Sequence, residues 1–311
     1  MSCKRLITAI ACLLAAGAAT LPADAQPIRK RLMQRMKEKS AAAQPIDPGQ
    51  YVAGATRKSA VYGTDADQSM EVYLPSNPDH APVIVMVHGG GWRVGDKNMT
   101  AVVENKIKHW LPKGYIFISI DYRMLPDAGV DVQAQDVAAA IAYIEKQAPS
   151  WGGDAAKLIL MGHSAGAHLV ALMSADPSRV RQAGGHDWAA SVVLDSAAYD
   201  VAAVMKGKHL DLYDDAFGSD PAYWARLSPR AQLKAEAVPM MLVCALKRSD
   251  NSCGQSHNFA EALKGMGQSA PVVELDMKHA EVNAQLGLPG AYTDSVDSFI
   301  TAHLGTKVIQ R

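Results

Sequence analysis

The segment Leu158-Ile159-Leu160-Met161-Gly162-His163-Ser164-Ala165-Gly166-Ala167-His168-Leu169 constrains this chain more than any other. Four apolar residues run into Gly162-His163-Ser164-Ala165-Gly166, and Ala167, Leu169, Val170, Leu172 and Met173 follow in a helical pattern. This reads as a buried strand, a turn of almost no length and a helix. A serine in so sharp a corner requires glycine on both sides, because a Cβ at either position would collide with strand or helix. Its Oγ then stands clear at the sheet edge, at a helix N-terminus whose dipole favours negative charge. Gly-x-Ser-x-Gly recurs by chance, so the surrounding chain must decide its meaning.

That chain alternates strands with helices. Lys58–Gly63 and Ser69–Leu74 read as an early strand pair turned at Gly63-Thr64-Asp65, supplying an antiparallel edge. Pro82–Val87 is a continuous apolar run, as in a strand covered on both faces, and it ends in His88-Gly89-Gly90-Gly91-Trp92. A helix over Lys97–Leu111, a strand over Tyr115–Ile120 and an amphipathic helix over Val132–Gln147 come next. Beyond the serine lie strands at Ser191–Leu194, Met240–Leu246 and Pro271–Leu275, with helices at Gln255–Met266 and Tyr292–Leu304. Asp200 to Lys234 is irregular and moderately aromatic, a short cap insertion. Such alternation implies βαβ units: an α/β protein with a mostly parallel central sheet and helices on both faces.

With 49% of residues hydrophobic and 20% charged, the chain can bury one large core. Its 31 basic and 31 acidic residues cancel, so no global field selects nucleic acid or a polyanionic substrate. The N-terminus reads as an export signal. Lys4 and Arg5 precede an apolar run from Leu6 to Thr20, and Ala23-Asp24-Ala25 fits cleavage after Ala25. The expected organisation is a signal peptide over 1–25, a basic tether over 26–50 and one folded domain over 51–311. The tether holds Arg29, Lys30, Arg31, Arg35, Lys37 and Lys39; its stripe of Leu32, Met33 and Met36 offers a membrane contact as the alternative to a solvated linker. The mature protein is expected in the periplasm or secreted, with no stable membrane anchor. Cys3 and Cys12 leave with the signal, and Cys244 and Cys253 read as one disulfide, with two buried thiols the alternative. Two cysteines lack the further ligands of a zinc site.

Three features can carry chemistry together. Triple glycine after a buried strand leaves backbone N–H groups uncovered, able to face an oxyanion. A phosphate cradle would place lysine and Ser/Thr after the glycines, and Trp92-Arg93 stands there instead. His279, in the loop after the last strand, is the candidate base; His163 and His168 belong to the elbow and its helix, and His257 to the following helix. Asp250, in the loop between Leu246 and Gln255, is the expected acid in the chain order Ser, acid, His. Asp195 and Asp200 after the preceding strand, and Glu281 beside His279, compete with it for that role.

In this order the motifs resemble the α/β-hydrolase superfamily, and within it the esterases bearing His-Gly-Gly-Gly-Trp, of the BD-FAE and hormone-sensitive-lipase kinds. Asp121-Tyr122-Arg123-Met124-Leu125-Pro126, Trp151-Gly152-Gly153-Asp154, the elbow and Ser228-Pro229 all fit, covering roughly Ser59 to Leu304. The resemblance implies an α/β-hydrolase catalytic domain that hydrolyses small acyl esters through an acyl-enzyme. Ser164 would be the nucleophile, His279 the base, Asp250 the acid, and Gly89, Gly90 and Ala165 the oxyanion donors, with no metal or organic cofactor. Ala167 stands where many relatives have glycine. Relatives often follow the acid with apolar-Pro residues, whereas here Asp250 lies between Cys244 and Cys253. An arylformamidase-type amidase and a catalytically silent binding protein are the competing readings.

Overall fold

A computed structural model describes residues 43–305. The expected signal peptide, its cleavage site and the basic stretch Arg29–Lys39 lie outside the described residues. The end of the expected tether does not stand apart from the domain. Asp47 Oδ1 accepts from the Gly49 N–H at 3.0 Å at a short 3-10 turn, Pro48 is buried, and Ile46 and Val52 pack on the core.

Among the described residues, one sheet holds β1 (Thr56–Val61), β2 (Ser69–Leu74), β3 (Ala81–Val87), β4 (Ile116–Ile120), β5 (Gly153–His163), β6 (Ala190–Leu194), β7 (Met240–Ala245) and β8 (Val272–Leu275), in the order β1-β2-β4-β3-β5-β6-β7-β8. β1 and β2 pair antiparallel from Thr56↔Leu74 to Val61↔Ser69, and β2 runs antiparallel to β4. Every pair from β4 to β8 is parallel. The early pair therefore forms the antiparallel edge, with β1 starting two residues before Lys58.

Helices cover both faces: α1 (Thr100–Trp110), α2 (Val130–Gln147), α3 (Ala165–Ala175), α4 (Ser178–Gln182), α5 (Val201–Lys206), α6 (Asp211–Phe217), α7 (Pro221–Leu227), α8 (Ser252–Gly265), α9 (His279–Gln285) and α10 (Ala291–Leu304). The strand period of two sorts β3 between two cores. Val83, Val85 and Val87 join Val137, Ile141 and Leu169 of α2 and α3, while Ile84 and Met86 join Val103, Ile107 and Ile300 of α1 and α10. Each such side chain contributes about 1.5–3 kcal/mol by leaving water, which is why these strands carry almost no polar residues.

Three local differences from the sequence-based expectation have physical causes. α1 starts at Thr100 rather than Lys97, because the backbone of Met99, at ψ 127°, is not helical; the Lys97 and Asn98 N–H groups before it bind the carboxylates of Asp121 and Asp96, each at 2.6 Å. The cap is three short helices, α5 to α7, two of them capped by Asp200 and Asp220. α9 carries only two buried residues, Val282 and Asn283, too few to print a helical period in the sequence.

Candidate active site

The parallel strands deliver their C-terminal ends to one edge, the usual ligand edge of an open α/β sheet. Ser164 follows β5 directly, Asp195 follows β6, and His279 opens α9 after β8. Ser164 sits at φ 57° and ψ −119°, a backbone strain permitted by its neighbours' lack of side chains. A Cβ on Gly162 would stand 2.5 Å from the Gly166 carbonyl oxygen; one on Gly166 would stand 2.3 Å from that of Val87. Neither position can hold any other residue without moving strand or helix.

This corner brings three side chains into line. The Ser164 hydroxyl donates to His279 Nε2 at 2.8 Å, and His279 Nδ1–H donates to Asp195 Oδ2 at 2.6 Å. Asp195, fully buried, also sits at positive φ (60°). Its Oδ1 accepts from the Ala245 N–H at 2.9 Å. Burial works against its charge, yet the His279 hydrogen bond and the Arg248 guanidinium outweigh burial and bring its carboxyl down to about 2.

The expected partner of His279, Asp250, stands elsewhere. Arg248 Nε donates to Asp250 Oδ1 at 2.7 Å, Arg248 Nη2 donates to Asp250 Oδ2, and the Tyr213 hydroxyl donates to Oδ2 at 3.1 Å. Asp250 is therefore occupied by a guanidinium two residues away, and Asp195 takes the place beside the imidazole. Asp200 is engaged in capping α5, and Glu281 accepts from the Lys278 N–H, so neither carboxylate competes for the ring.

His163 has a part that its position in the elbow did not announce. Its ring stacks on His279 at 4.5 Å, and its Nε2–H donates to the His279 carbonyl oxygen at 3.0 Å. Burial first, and the neighbouring His279 second, push its pKa down to about 3, so it stays a neutral donor. Lys106 of α1 is buried too and donates to the carbonyl oxygens of Asn283 (2.8 Å) and Ala101 (3.1 Å), tying α9 to α1. Burial brings its pKa down to about 7.

The glycine loop closes the other side. A Cβ on Gly89 would stand 2.8 Å from Ser164 Cβ, so the loop backbone and the Ser164 side chain lie in direct contact. Ala165 is the first residue of α3, where N–H groups have no acceptor within the helix. Trp92, at φ 59°, fixes the end of the loop. Its carbonyl accepts from Gln133 Nε2 at 2.9 Å, and its indole N–H donates to His168 Nδ1 at 3.3 Å. His168 Nε2–H in turn donates to the Leu227 carbonyl oxygen at 2.7 Å, at the end of the cap. Beside Ser164 opens a cavity of ≈ 910 Å³, bordered by Gly89, Gly90 and Ala165 and walled by Trp92, Met99, Val102, Leu210, Leu212 and Tyr213. It is large enough for a substrate of drug size.

Cys244 on β7 and Cys253 on α8 are joined by a disulfide, so the loop holding Arg248 and Asp250 is closed at its base. The Arg248 clamp is what sequence reasoning missed most clearly. Its only written signal is an arginine two residues before the expected acid; the Tyr213 contact leaves no local signal at all.

Sheet order, the strand–serine–helix corner and the site at the strand ends define an α/β-hydrolase fold. Esterase B from Lactobacillus Rhamnosis (HN001) shares it, with a TM-score of 0.69 at 20% identity over 91% of this chain and 94% of that one. Residues 70–263 match the sequence model of the BD-FAE family, and the chain belongs to that family. It is similar to isoprenylcysteine alpha-carbonyl methylesterase of Arabidopsis thaliana, 26% identical over 270 residues, 81% of this chain and 62% of the relative. It is also similar to kynurenine formamidase of Danio rerio, 26% identical over 225 residues, 66% of this chain and 68% of that protein. The chain thus spans about three fifths of the length of the methylesterase that it matches.

Proposed function

We propose that this protein is a serine carboxylic-ester hydrolase working through an acyl-enzyme on Ser164. The observation that carries the reading is the hydrogen-bonded line from Ser164 Oγ through the His279 imidazole to the buried Asp195 carboxylate. As Ser164 Oγ attacks the ester carbonyl, His279 Nε2 takes its proton, and the charge formed on the imidazole is balanced by Asp195. The tetrahedral oxyanion is received by backbone N–H groups of Gly89, Gly90 and Ala165, each worth about 3 kcal/mol of barrier. His279 returns the proton to the departing alcohol. Water, deprotonated by the same imidazole, then attacks the acyl-serine; the acid leaves and Ser164 regains its proton. The apolar cavity wall suits the acyl or alcohol portion of a small-molecule ester, and the methylesterase relative supports this substrate class.

The reading includes export: a basic n-region, the apolar Leu6–Thr20 and Ala23-Asp24-Ala25 support cleavage after Ala25, and a disulfide suits an oxidising compartment. A formamidase is the second reading, favoured by the kynurenine formamidase likeness. Rates on p-nitrophenyl acetate and on N-formylkynurenine separate the two. With an organophosphate titrating one site per chain, kcat/KM on the ester is expected to exceed that on the formamide. The opposite ranking assigns the site to formamides, and no titratable serine with no turnover of either substrate overturns both readings.

A further inference from the structure

We propose that Arg248 is a positioning residue of this site: held by Asp250 and Tyr213, it fixes the Asp195 carboxylate against His279 and sets the pH at which the imidazole can act as base. The inference rests on the ester-hydrolase reading above and goes beyond it to residues outside the Ser-His-Asp line.

Each nitrogen of the guanidinium has a partner. Nε and Nη2 grip the Asp250 carboxylate side-on. Nη1 donates to the Asp195 carbonyl oxygen at 2.7 Å and lies 3.0 Å from Asp195 Oδ2. The same nitrogen is 2.8 Å from His279 Nδ1. Nδ1 cannot accept from Arg248 and donate to Asp195 at once. Ionised Asp195 has no proton to give, so Nδ1 carries the hydrogen, and Arg248 meets the ring as a charge. Arg248 therefore acts on His279 through Asp195 and through its field.

The cluster is largely dry. The Arg248 side chain is 12% exposed, that of Asp250 11%, and that of Asp195 not at all. Facing the imidazole it amounts to two carboxylates and one guanidinium, a net charge of −1 that imidazolium formation neutralises. Removing Arg248 leaves −2, and removing the Asp250 charge leaves 0. The two changes must move the titration of the base in opposite directions.

The remaining charged and titratable neighbours are these. His163 of β5 is neutral and stacked on the ring, and Lys106 of α1 is bound to carbonyl oxygens. Lys247 pairs with Asp276, His209 with Asp214 and Arg93 with Asp215 around the cavity. Tyr292 of α10 donates to the Val282 carbonyl, and Lys278, just before α9, and Glu281 within it flank His279. None of them is altered by substitution at 248 or 250.

The test compares wild type, Arg248→Met, Asp250→Asn and the double variant, each checked for a folded circular-dichroism spectrum. For each, kcat/KM on a soluble aryl ester is followed against pH, and fluorophosphonate labelling of Ser164 is mapped by mass spectrometry. The acid limb is expected to move up by about one pH unit in Arg248→Met and down in Asp250→Asn, as charges at such distances require. The double variant should return toward wild type, and kcat should fall at least tenfold in Arg248→Met with KM little changed. Arg248→Lys should keep the limb in place while losing kcat, because it keeps the charge without the fork. Should Arg248→Met not fold, Asp250→Asn and Arg248→Lys carry the test. Limbs that stay together or shift in the same direction, with Ser164 still labelled, overturn the role of Arg248 alone. Absence of label on wild-type Ser164 overturns the ester-hydrolase reading beneath it.

Discussion

At the residue scale the decisive choice is between two carboxylates. Asp195 and Asp250 both fall between Ser164 and His279 in the chain, so chain order alone admits either. Space separates them. β6 lies next to β5, and its end carries Asp195 to the imidazole at 2.6 Å, whereas Asp250 is spent on Arg248. Ser164 and His279 were legible because each is marked by its own surroundings, the elbow glycines in one case and the last-strand loop in the other. Which carboxylate meets the imidazole was not legible, because the Arg248 contact that occupies Asp250 is encoded by no spacing rule. Asp195→Asn is expected to cost about 10⁴-fold in kcat by unsettling the tautomer of His279. Asp250→Asn, which leaves the imidazole its partner, should cost on the order of tenfold. Steady-state kinetics on a p-nitrophenyl ester check this, and the reverse ranking would return Asp250 to the role of acid.

At the scale of elements, the loop between β7 and α8 does what no single residue can. It holds Arg248 at the imidazole, and the Cys244–Cys253 disulfide closes its base. Closing a ring of this size contributes about 2.7 kcal/mol by the chain-entropy estimate. Orientation is the larger consequence, since misplacement by about 1 Å can cost on the order of a hundredfold in rate. Cys253→Ser, folded by circular dichroism, is therefore expected to lose kcat while KM stays within a few-fold. A folded variant with unchanged kcat would separate the disulfide from the chemistry. β7 was readable from its unbroken apolar run, because a strand covered on both faces admits little else. The cap helices were not: each is only two turns or so long, and what holds them is distant in the chain, such as the Phe217 ring against Trp92 at 5.0 Å, which no local period records.

At the scale of the whole molecule, two buried histidines brace the site and couple the fold to pH. Burial lowers the pKa of His163 to about 3 and of His168 to about 4, from 6.5. An unfolded chain protonates both near 6.5 while the folded chain resists. The stability they contribute is thus fully present above 6.5 and is lost as pH falls toward these folded-state values. Melting temperatures measured between about pH 7.5 and about pH 4.5 should fall steeply in wild type. His168→Asn should melt lower at the upper end, where Trp92 and Leu227 lose their partner, and should show the shallower pH slope. Identical slopes would remove His168 from the coupling.

The measurement closest to the central claim is the site of covalent capture. Folded protein is treated with a fluorophosphonate, digested and mapped by mass spectrometry, with residual turnover of a p-nitrophenyl ester followed in parallel. The expected result is one adduct per chain on Ser164, appearing at the rate at which turnover disappears, with Ser164→Ala neither labelled nor active. An adduct on another residue, with Ser164→Ala still turning over the ester, would contradict it.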